Sequence, residues 1–221
     1  MEAGSGDLYL TLGGASEGVF KDRGSRFIAY AHPVSTAEES MSILQDIKKE
    51  HFKARHHCFA YEIGHDGNNF RMSDDGEPSG TAGKPILGQI RHYNLRNTLV
   101  VVVRYFGGVK LGTSGLINAY RESTRQALEQ AEIVEKQLSD YVELQFGYEQ
   151  MPAVMQALKG LNIEIYSKEF TDRGKIVTVL PHSEKEALLR LLKSKIAGVA
   201  VEQITDTYKM DNILFTELYT L

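Results

Sequence analysis

The chain has 221 residues, 42% hydrophobic and 24% charged, a composition typical of a folded globular protein. Its 25 Lys and Arg residues against 29 Asp and Glu residues give a net charge of −4, which excludes the strongly basic balance of a dedicated DNA-binding domain. The single cysteine, Cys58, excludes a disulfide framework and favours the cytoplasm. Apolar runs such as Leu99 to Val103 are too short to cross a bilayer, so we expect no membrane segment.

The first third of the chain predicts mostly short strands. The glycine-rich start from Met1 to Gly18 is typical of a flexible segment that holds one strand. Alternating residues then predict strands, and Ser35 or Thr36 can cap a helix. The predicted elements are strands at Leu8 to Leu12, two strands between Val19 and Val34 turning at Arg23-Gly24, a helix to about His51, strands at His57 to Ile63 and Phe70 to Met72, and a turn at Asp66-Gly67.

The next segment predicts a buried strand between two helices. Pro85 is compatible with a helix from about Thr81 to Tyr93, because the first helical turn has free N–H groups. Thr98 to Phe106 lacks polar alternation until Arg104, which indicates a central strand buried on both faces. From Leu116 onward apolar residues recur at helical spacing, the strongest helical pattern in the chain.

After Gln137 the pattern starts again and predicts the order βαββαβ of a ferredoxin-like sandwich. We therefore expect an α+β protein with two α/β sandwich domains, residues 1–137 and 138–221. The predicted elements are a strand to Phe146, a helix from Gln150 to Lys159, strands at Ile163 to Phe170 and Ile176 to Leu180, a helix from Ser183 to Lys195, and a last strand at Val199 to Thr205.

The segment from Ser73 to Pro85 joins a strand to a helix and contains three carboxylates, three glycines and Lys84. Free N–H groups and the positive end of the helix dipole predict an anion site there. A Walker A loop is excluded, because Pro78 stands where that motif needs glycine and Lys84 is followed by proline. The alternative is a tight turn in which Asp74 and Asp75 hold loop N–H groups.

A second glycine-rich segment, Arg104 to Gly115, also joins a buried strand to a helix. Arg104, Lys110, Arg121 and Arg125 make its surroundings cationic, and two such helix starts suggest a phosphate-bearing ligand. The alternative is that the glycines only supply positive φ angles while the arginines are solvated. Arg104 has a further alternative, burial in an ion pair with Asp74 or Asp75.

The consecutive residues His56, His57 and Cys58 suggest a metal site, but strand alternation sends His57 to the opposite face from its neighbours. The sequence has no second ligand pair at zinc spacing, so we expect no metal and no cofactor. We expect Cys58 to be a buried structural thiol.

These motifs, Lys53 to Cys58, Ser73 to Pro85 and Val103 to Leu116, resemble the signature of the IMPACT family, and the resemblance covers about Gly18 to Gln130. It implies domains similar to domains IV and V of elongation factor G, which act against ribosomal RNA. It also implies a link to translation, made largely through eukaryotic relatives. Those relatives carry an extra N-terminal domain that binds a translational regulator, and that mode of regulation is not carried over.

We expect an RNA- or ribosome-associated protein that contacts backbone phosphate and has a role in regulating translation. The alternative is an enzyme, a hydrolase or transferase, that uses the first segment on a small phosphorylated or peptide substrate. A third interpretation is a protein-interaction module built on the C-terminal sheet. The ligand and oligomeric state stay open. The candidate binding residues are Asp74, Asp75, Glu77, Ser79, Gly80, Thr81, Gly83, Lys84, Arg104, Gly107, Gly108, Lys110, Gly112, Thr113, Ser114, Gly115, Arg121 and Arg125.

Overall fold

The structure is a computed structural model that describes residues 7–64, 67–205 and 208–220. The predicted turn residue Asp66 and the start of the predicted flexible segment, residues 1–6, lie outside this part. The strands are β1 (Leu8–Leu12), β2 (Ser16–Asp22), β3 (Ser25–Pro33), β4 (His56–Ile63), β5 (Asn69–Ser73), β6 (Thr98–Tyr105), β7 (Ile133–Gln137), β8 (Ser139–Phe146), β9 (Glu164–Phe170), β10 (Gly174–Pro181) and β11 (Ile213–Thr220). The α-helices are α1 (Ala37–Glu50), α2 (Gly83–His92), α3 (Gly112–Glu129), α4 (Met151–Gly160) and α5 (Lys185–Ala197).

The chain forms two compact units, Tyr9–Lys136 and the segment from Gln137 onward, and Asp7 and Leu8 belong to the second unit. The sequence assigns residues 1–137 to the first domain, so the assignment of Asp7 and Leu8 is wrong. The reason is hydrogen bonding, because the Asp7 carboxylate accepts the N–H and hydroxyl of Ser183 at 2.9 and 2.7 Å. Together the units make an α+β protein of two domains.

The first unit is built on a five-stranded sheet in the order β2-β3-β6-β4-β5, with all neighbours antiparallel. Helix α1 packs on one face, where Leu44 and Ile47 meet Val101 and Val103 of β6. Helices α2 and α3 pack on the other face with Val102. The central strand is therefore buried on both sides, as its unbroken apolar run predicts.

Helix α1 begins as its sequence predicts. The hydroxyl of Thr36 accepts the N–H of Glu39 at 3.1 Å, and the Glu39 carboxylate accepts the N–H of Ser35 at 2.7 Å. The first bond satisfies a free N–H group of the first helical turn and the second holds the residue before the cap, so together they define where α1 begins. Among the described residues, no helix combines the length and the apolar character needed to cross a membrane.

The second unit has a four-stranded antiparallel sheet in the order β11-β8-β10-β9, with α4 and α5 packed on one side around Leu144 and Ile176. This βαββαβ arrangement is the ferredoxin-like order. The prediction that the last strand spans Val199 to Thr205 is wrong. Gly198 ends α5 in a left-handed conformation at φ 67°, and Val201–Gln203 is a 3₁₀ turn.

Candidate functional site

The two glycine-rich segments lie at the same end of the five-stranded sheet. The first loop, residues 74–82, joins β5 to α2, and the second loop, residues 106–111, joins β6 to α3. Glu77 of the first loop accepts hydrogen bonds from the Arg104 guanidinium at 2.6 Å and from the Tyr120 hydroxyl at 2.8 Å. Arg104 is near the end of β6 and Tyr120 is on α3, so Glu77 connects the first loop to the strand and the helix that flank the second loop.

Asp74 occupies the start of helix α2. Its carboxylate accepts the N–H groups of Gly80, Ala82 and Gly83 at 2.7, 2.9 and 2.8 Å. Burial alone would raise the pKa of Asp74, but these three donors outweigh it and hold the pKa below its usual value. The anion site predicted at this helix start is therefore filled by the chain's own carboxylate, and the capping alternative describes Asp74 correctly.

Asp75 is held on the side of the sheet that faces α1. Its carboxylate accepts the N–H of His57 at 2.7 Å and lies 3.6 Å from the Lys48 ammonium. The backbone of Asp75 has φ 41°, a left-handed conformation that aspartate tolerates in turns. Its carbonyl oxygen is 2.9 Å from Nδ1 of His56. These contacts fix the turn that starts the first loop.

Glu77 and Arg104 form a buried ion pair, with side chains only 4% and 7% exposed. The guanidinium also lies 5.4 Å from the ring of Phe27 and 5.5 Å from that of Phe106. The expected partner of Arg104 was Asp74 or Asp75, but both are held elsewhere. Arg104 is buried and paired, so the prediction that it binds phosphate is wrong. The alternative, in which Arg104 stabilises the fold through an ion pair, describes it correctly.

Cys58 continues this buried network. Its sulfur lies 3.0 Å from the carbonyl oxygen of Asp74 and 3.3 Å from the Tyr120 hydroxyl oxygen, so its single S–H can donate to either of them. Burial raises the pKa of the thiol, so it stays protonated at neutral pH.

His57 faces the opposite side of the sheet from Cys58, as strand alternation predicts, and its Nε2 is 3.2 Å from the His51 carbonyl oxygen. No metal-binding group of three or more His, Cys, Asp or Glu side chains occurs in the described part of the chain.

The second loop is open to solvent. Gly107 and Gly108 are exposed, and Lys110 is exposed next to them. Helix α3 begins at Gly112, and no side chain caps it. Thr113 and Ser114 in its first turn are also exposed, while Gly115 is half-buried. The first N–H groups of this helix therefore have no side-chain acceptor of the kind that Asp74 gives to Ala82 and Gly83 at α2.

The remaining candidates divide by their contacts. Ser79 and Lys84 are exposed, whereas Thr81 is buried and its hydroxyl donates to the Pro78 carbonyl oxygen at 2.6 Å. Arg121 is exposed on α3. Arg125, which is 39% exposed, is paired with Glu122 at 2.9 Å and Glu129 at 2.7 Å, so a phosphate would compete with these carboxylates.

Two aromatic residues matter here that the sequence does not single out as site residues. Tyr120 fits the apolar face of α3, and nothing in that pattern indicates a hydroxyl that donates to Glu77. Phe106 ends the predicted central strand, yet its side chain is 56% exposed. The glycine pair that follows Phe106 was the available signal, because it ends the strand and leaves Phe106 at the beginning of a loop.

Comparison with known proteins gives consistent matches. Residues 23–128 match the Impact N-terminal domain. IMPACT family member YvyE of Bacillus subtilis is 35% identical over 179 residues, which cover 81% of this chain and 82% of that protein. An IMPACT family member of Haemophilus influenzae is 38% identical over 186 residues, with 82% and 89% covered. A crystal structure of a hypothetical protein matches with a TM-score of 0.66 and 32% identity, covering 82% of this chain and 89% of that one.

Proposed function

Because the chain belongs to the IMPACT family, we propose that it is an RNA- or ribosome-associated protein that binds backbone phosphate with its second loop and regulates translation. The family resemblance motivates the choice of partner, since it implies folds that act against ribosomal RNA. The contacts of the two loops motivate the choice of surface.

The uncapped start of α3 carries the proposal. At the start of α2 the N–H groups of Ala82 and Gly83 are bound by Asp74, whereas α3 begins at Gly112 without a side-chain cap. A helix start with free N–H groups favours a phosphate through both hydrogen bonds and the helix dipole. Lys110 is exposed just before this start, and Arg121 is exposed farther along α3; neither has an ion pair within the described chain.

The exposed ring of Phe106 supports RNA over an isolated phosphate ion. The ring is 56% exposed and lies over the Arg104 guanidinium at 5.5 Å. Single-stranded RNA is bound by stacking of its bases on aromatic side chains next to cationic groups. Stacking of this kind tolerates any base, so we expect binding with little sequence preference.

The enzyme alternative loses two of its three carboxylates in this geometry. Asp74 is saturated by three N–H groups, and Glu77 is buried against Arg104 and Tyr120. A magnesium ion needs carboxylate oxygens that are free to coordinate it, and an acid or base needs access to substrate. The first loop therefore serves to support the second.

Association with ribosomes tests the proposal. We expect the full chain to sediment with ribosomes at low salt and to be released as salt is raised, because phosphate contacts release counterions. Lys110→Ala should be released at lower salt than the wild type. Lys195→Ala removes the same charge from an exposed position on α5 and serves as the matched control. Release of both variants at the same salt concentration as the wild type would contradict the proposal.

A further inference from the structure

The sheet of the second unit has one face covered by helices and one face rich in tyrosine. Val142 and Leu144 of β8 point into the core with α4 and α5, so Tyr141 between Asp140 and Val142 points to the other face. The ring of Tyr141 lies 4.6 Å from that of Tyr219 and 5.1 Å from that of Tyr166. Tyr166 is 61% exposed and Tyr219 is 46% exposed, so the three rings form an accessible aromatic surface.

A carboxylate ends the same row of residues. The strand register places Tyr219 opposite Tyr141, Tyr141 opposite Val179, and Val179 opposite Glu164. These four residues therefore lie side by side across the sheet, from the edge strand β11 to the edge strand β9. Glu164 is exposed, and within the described residues it has no salt bridge.

A cavity adjoins this row at the β9 edge. Its volume is about 190 Å³, and Glu164 and Val179 line it together with polar and apolar residues from around the beginnings of β8 and β9, the end of β10 and helix α5: Gln137, Ser139, Asn162, Ile163, Leu180, Pro181 and Leu188. The cavity thus offers an unpaired carboxylate and several hydrogen-bonding groups, with apolar surface beside them. A lysine or arginine side chain needs this combination, because its stem is apolar and its end is charged.

We propose that this tyrosine row and cavity bind an extended basic peptide segment, with one Lys or Arg side chain in the cavity against Glu164 and a second cation over the tyrosine rings. Cations are attracted to the faces of tyrosine rings. A row across four strands spans roughly 14 Å, which is the length of about four extended residues. The inference concerns the second unit and does not depend on the proposed RNA contact of the second loop.

Charge favours a basic peptide over RNA at this surface. From Gln137 onward the chain has 9 Lys and Arg residues against 12 Asp and Glu residues. Lys175, on the same sheet face, is already paired with Glu143 at 2.9 Å, so it is not free for a phosphate. The charge at the end of the row is the carboxylate of Glu164, which would repel an RNA backbone.

Fluorescence anisotropy of labelled probes with the full chain tests this site. The probes are a twelve-residue peptide of alternating Arg and Ser, the corresponding Glu and Ser peptide, and an oligouridylate. We expect the basic peptide to bind and the acidic one not to. Glu164→Gln should weaken binding of the basic peptide about fivefold, and Tyr166→Ala about threefold. Oligouridylate binding should be the same in both variants as in the wild type.

The controls separate charge and aromatic contributions from folding. Glu202→Gln removes the same charge from an exposed position away from the sheet, and Phe52→Ala removes an exposed ring from the first unit. Tyr166→Leu keeps apolar area but loses the ring, so it should weaken binding as Tyr166→Ala does. Absence of basic-peptide binding, equal binding by Glu164→Gln and Glu202→Gln, or loss of oligouridylate binding in Tyr166→Ala would overturn the proposal.

Discussion

Asp74 illustrates how one side chain can remove a predicted ligand site. The sequence places a carboxylate, glycines and a helix start together, and this combination fits both an external anion and an internal cap. Only the distances decide between them, because three loop N–H groups lie within 2.9 Å of the carboxylate. Residue types alone could not have shown that the chain supplies its own anion.

Asp74→Asn should therefore destabilise the fold without affecting RNA binding directly. An amide offers one acceptor oxygen to three N–H groups, so we expect a loss of about 1–3 kcal/mol in the free energy of unfolding by urea. The exposed Asp46→Asn on α1 is the control and should change it by less than about 0.5 kcal/mol.

The pH dependence of the free energy of unfolding gives a second test of the role of Asp74. Its pKa is lower in the folded chain, so its carboxylate stabilises the fold above the unfolded pKa of about 3.9, and this contribution is lost as pH falls through the lower folded pKa. The stability difference between wild type and Asp74→Asn should narrow below about pH 4. A difference that stays constant down to the folded pKa would contradict the assignment.

Replacing Arg104 should lower the free energy of unfolding and should not act directly on the affinity for RNA. Removing one member of a buried pair leaves the other uncompensated, so Arg104→Ala should cost about 3–5 kcal/mol. The double variant Glu77→Leu, Arg104→Met replaces both charges with apolar groups and should recover part of that loss. Urea unfolding measures both variants. An Arg104→Ala variant that unfolds at the same urea concentration as the wild type would show that the ion pair does not hold the first loop in place.

At the level of elements, the sequence predicts strand β6 correctly and misplaces the last strand of the second unit. The run from Leu99 to Val103 has no polar residue and is rich in valine, which favours a strand buried on both faces. The sequence does not distinguish Val199 to Thr205 from Ile213–Thr220 as the last strand, because both segments are short and combine polar with apolar residues. The choice between them depends on pairing with β8, a contact that is distant in the sequence.

The second loop requires glycine at Gly107, where the chain passes close to the β2–β3 turn. A Cβ atom there would lie 1.9 Å from the carbonyl carbon of Gly24. Gly107→Ala should therefore displace the loop, lower the thermal midpoint and weaken RNA binding. Gly88→Ala on α2 meets nothing within 4 Å and should stabilise the helix by about 0.5–1 kcal/mol. Equal melting of the two variants would contradict this account of the loop.

At the level of the whole molecule, each unit has its own hydrophobic core. Residues such as Tyr120 and Val102 form the core of the first unit, and Phe146 and Leu144 belong to that of the second. We expect a fragment of residues 9–136 to fold alone, with a cooperative melt by circular dichroism, and to keep the oligouridylate binding of the full chain. A fragment without a cooperative transition would show that the first unit depends on the second.

The salt dependence of oligouridylate binding tests the central claim most directly. The slope of log K against log salt counts the phosphates that the protein neutralises. We expect Lys110→Ala and Arg121→Ala each to reduce this slope by about 0.7 for a single-stranded RNA, and Lys195→Ala to leave it unchanged. Slopes and affinities identical to wild type in both Lys110→Ala and Arg121→Ala would show that RNA is not bound at the start of α3.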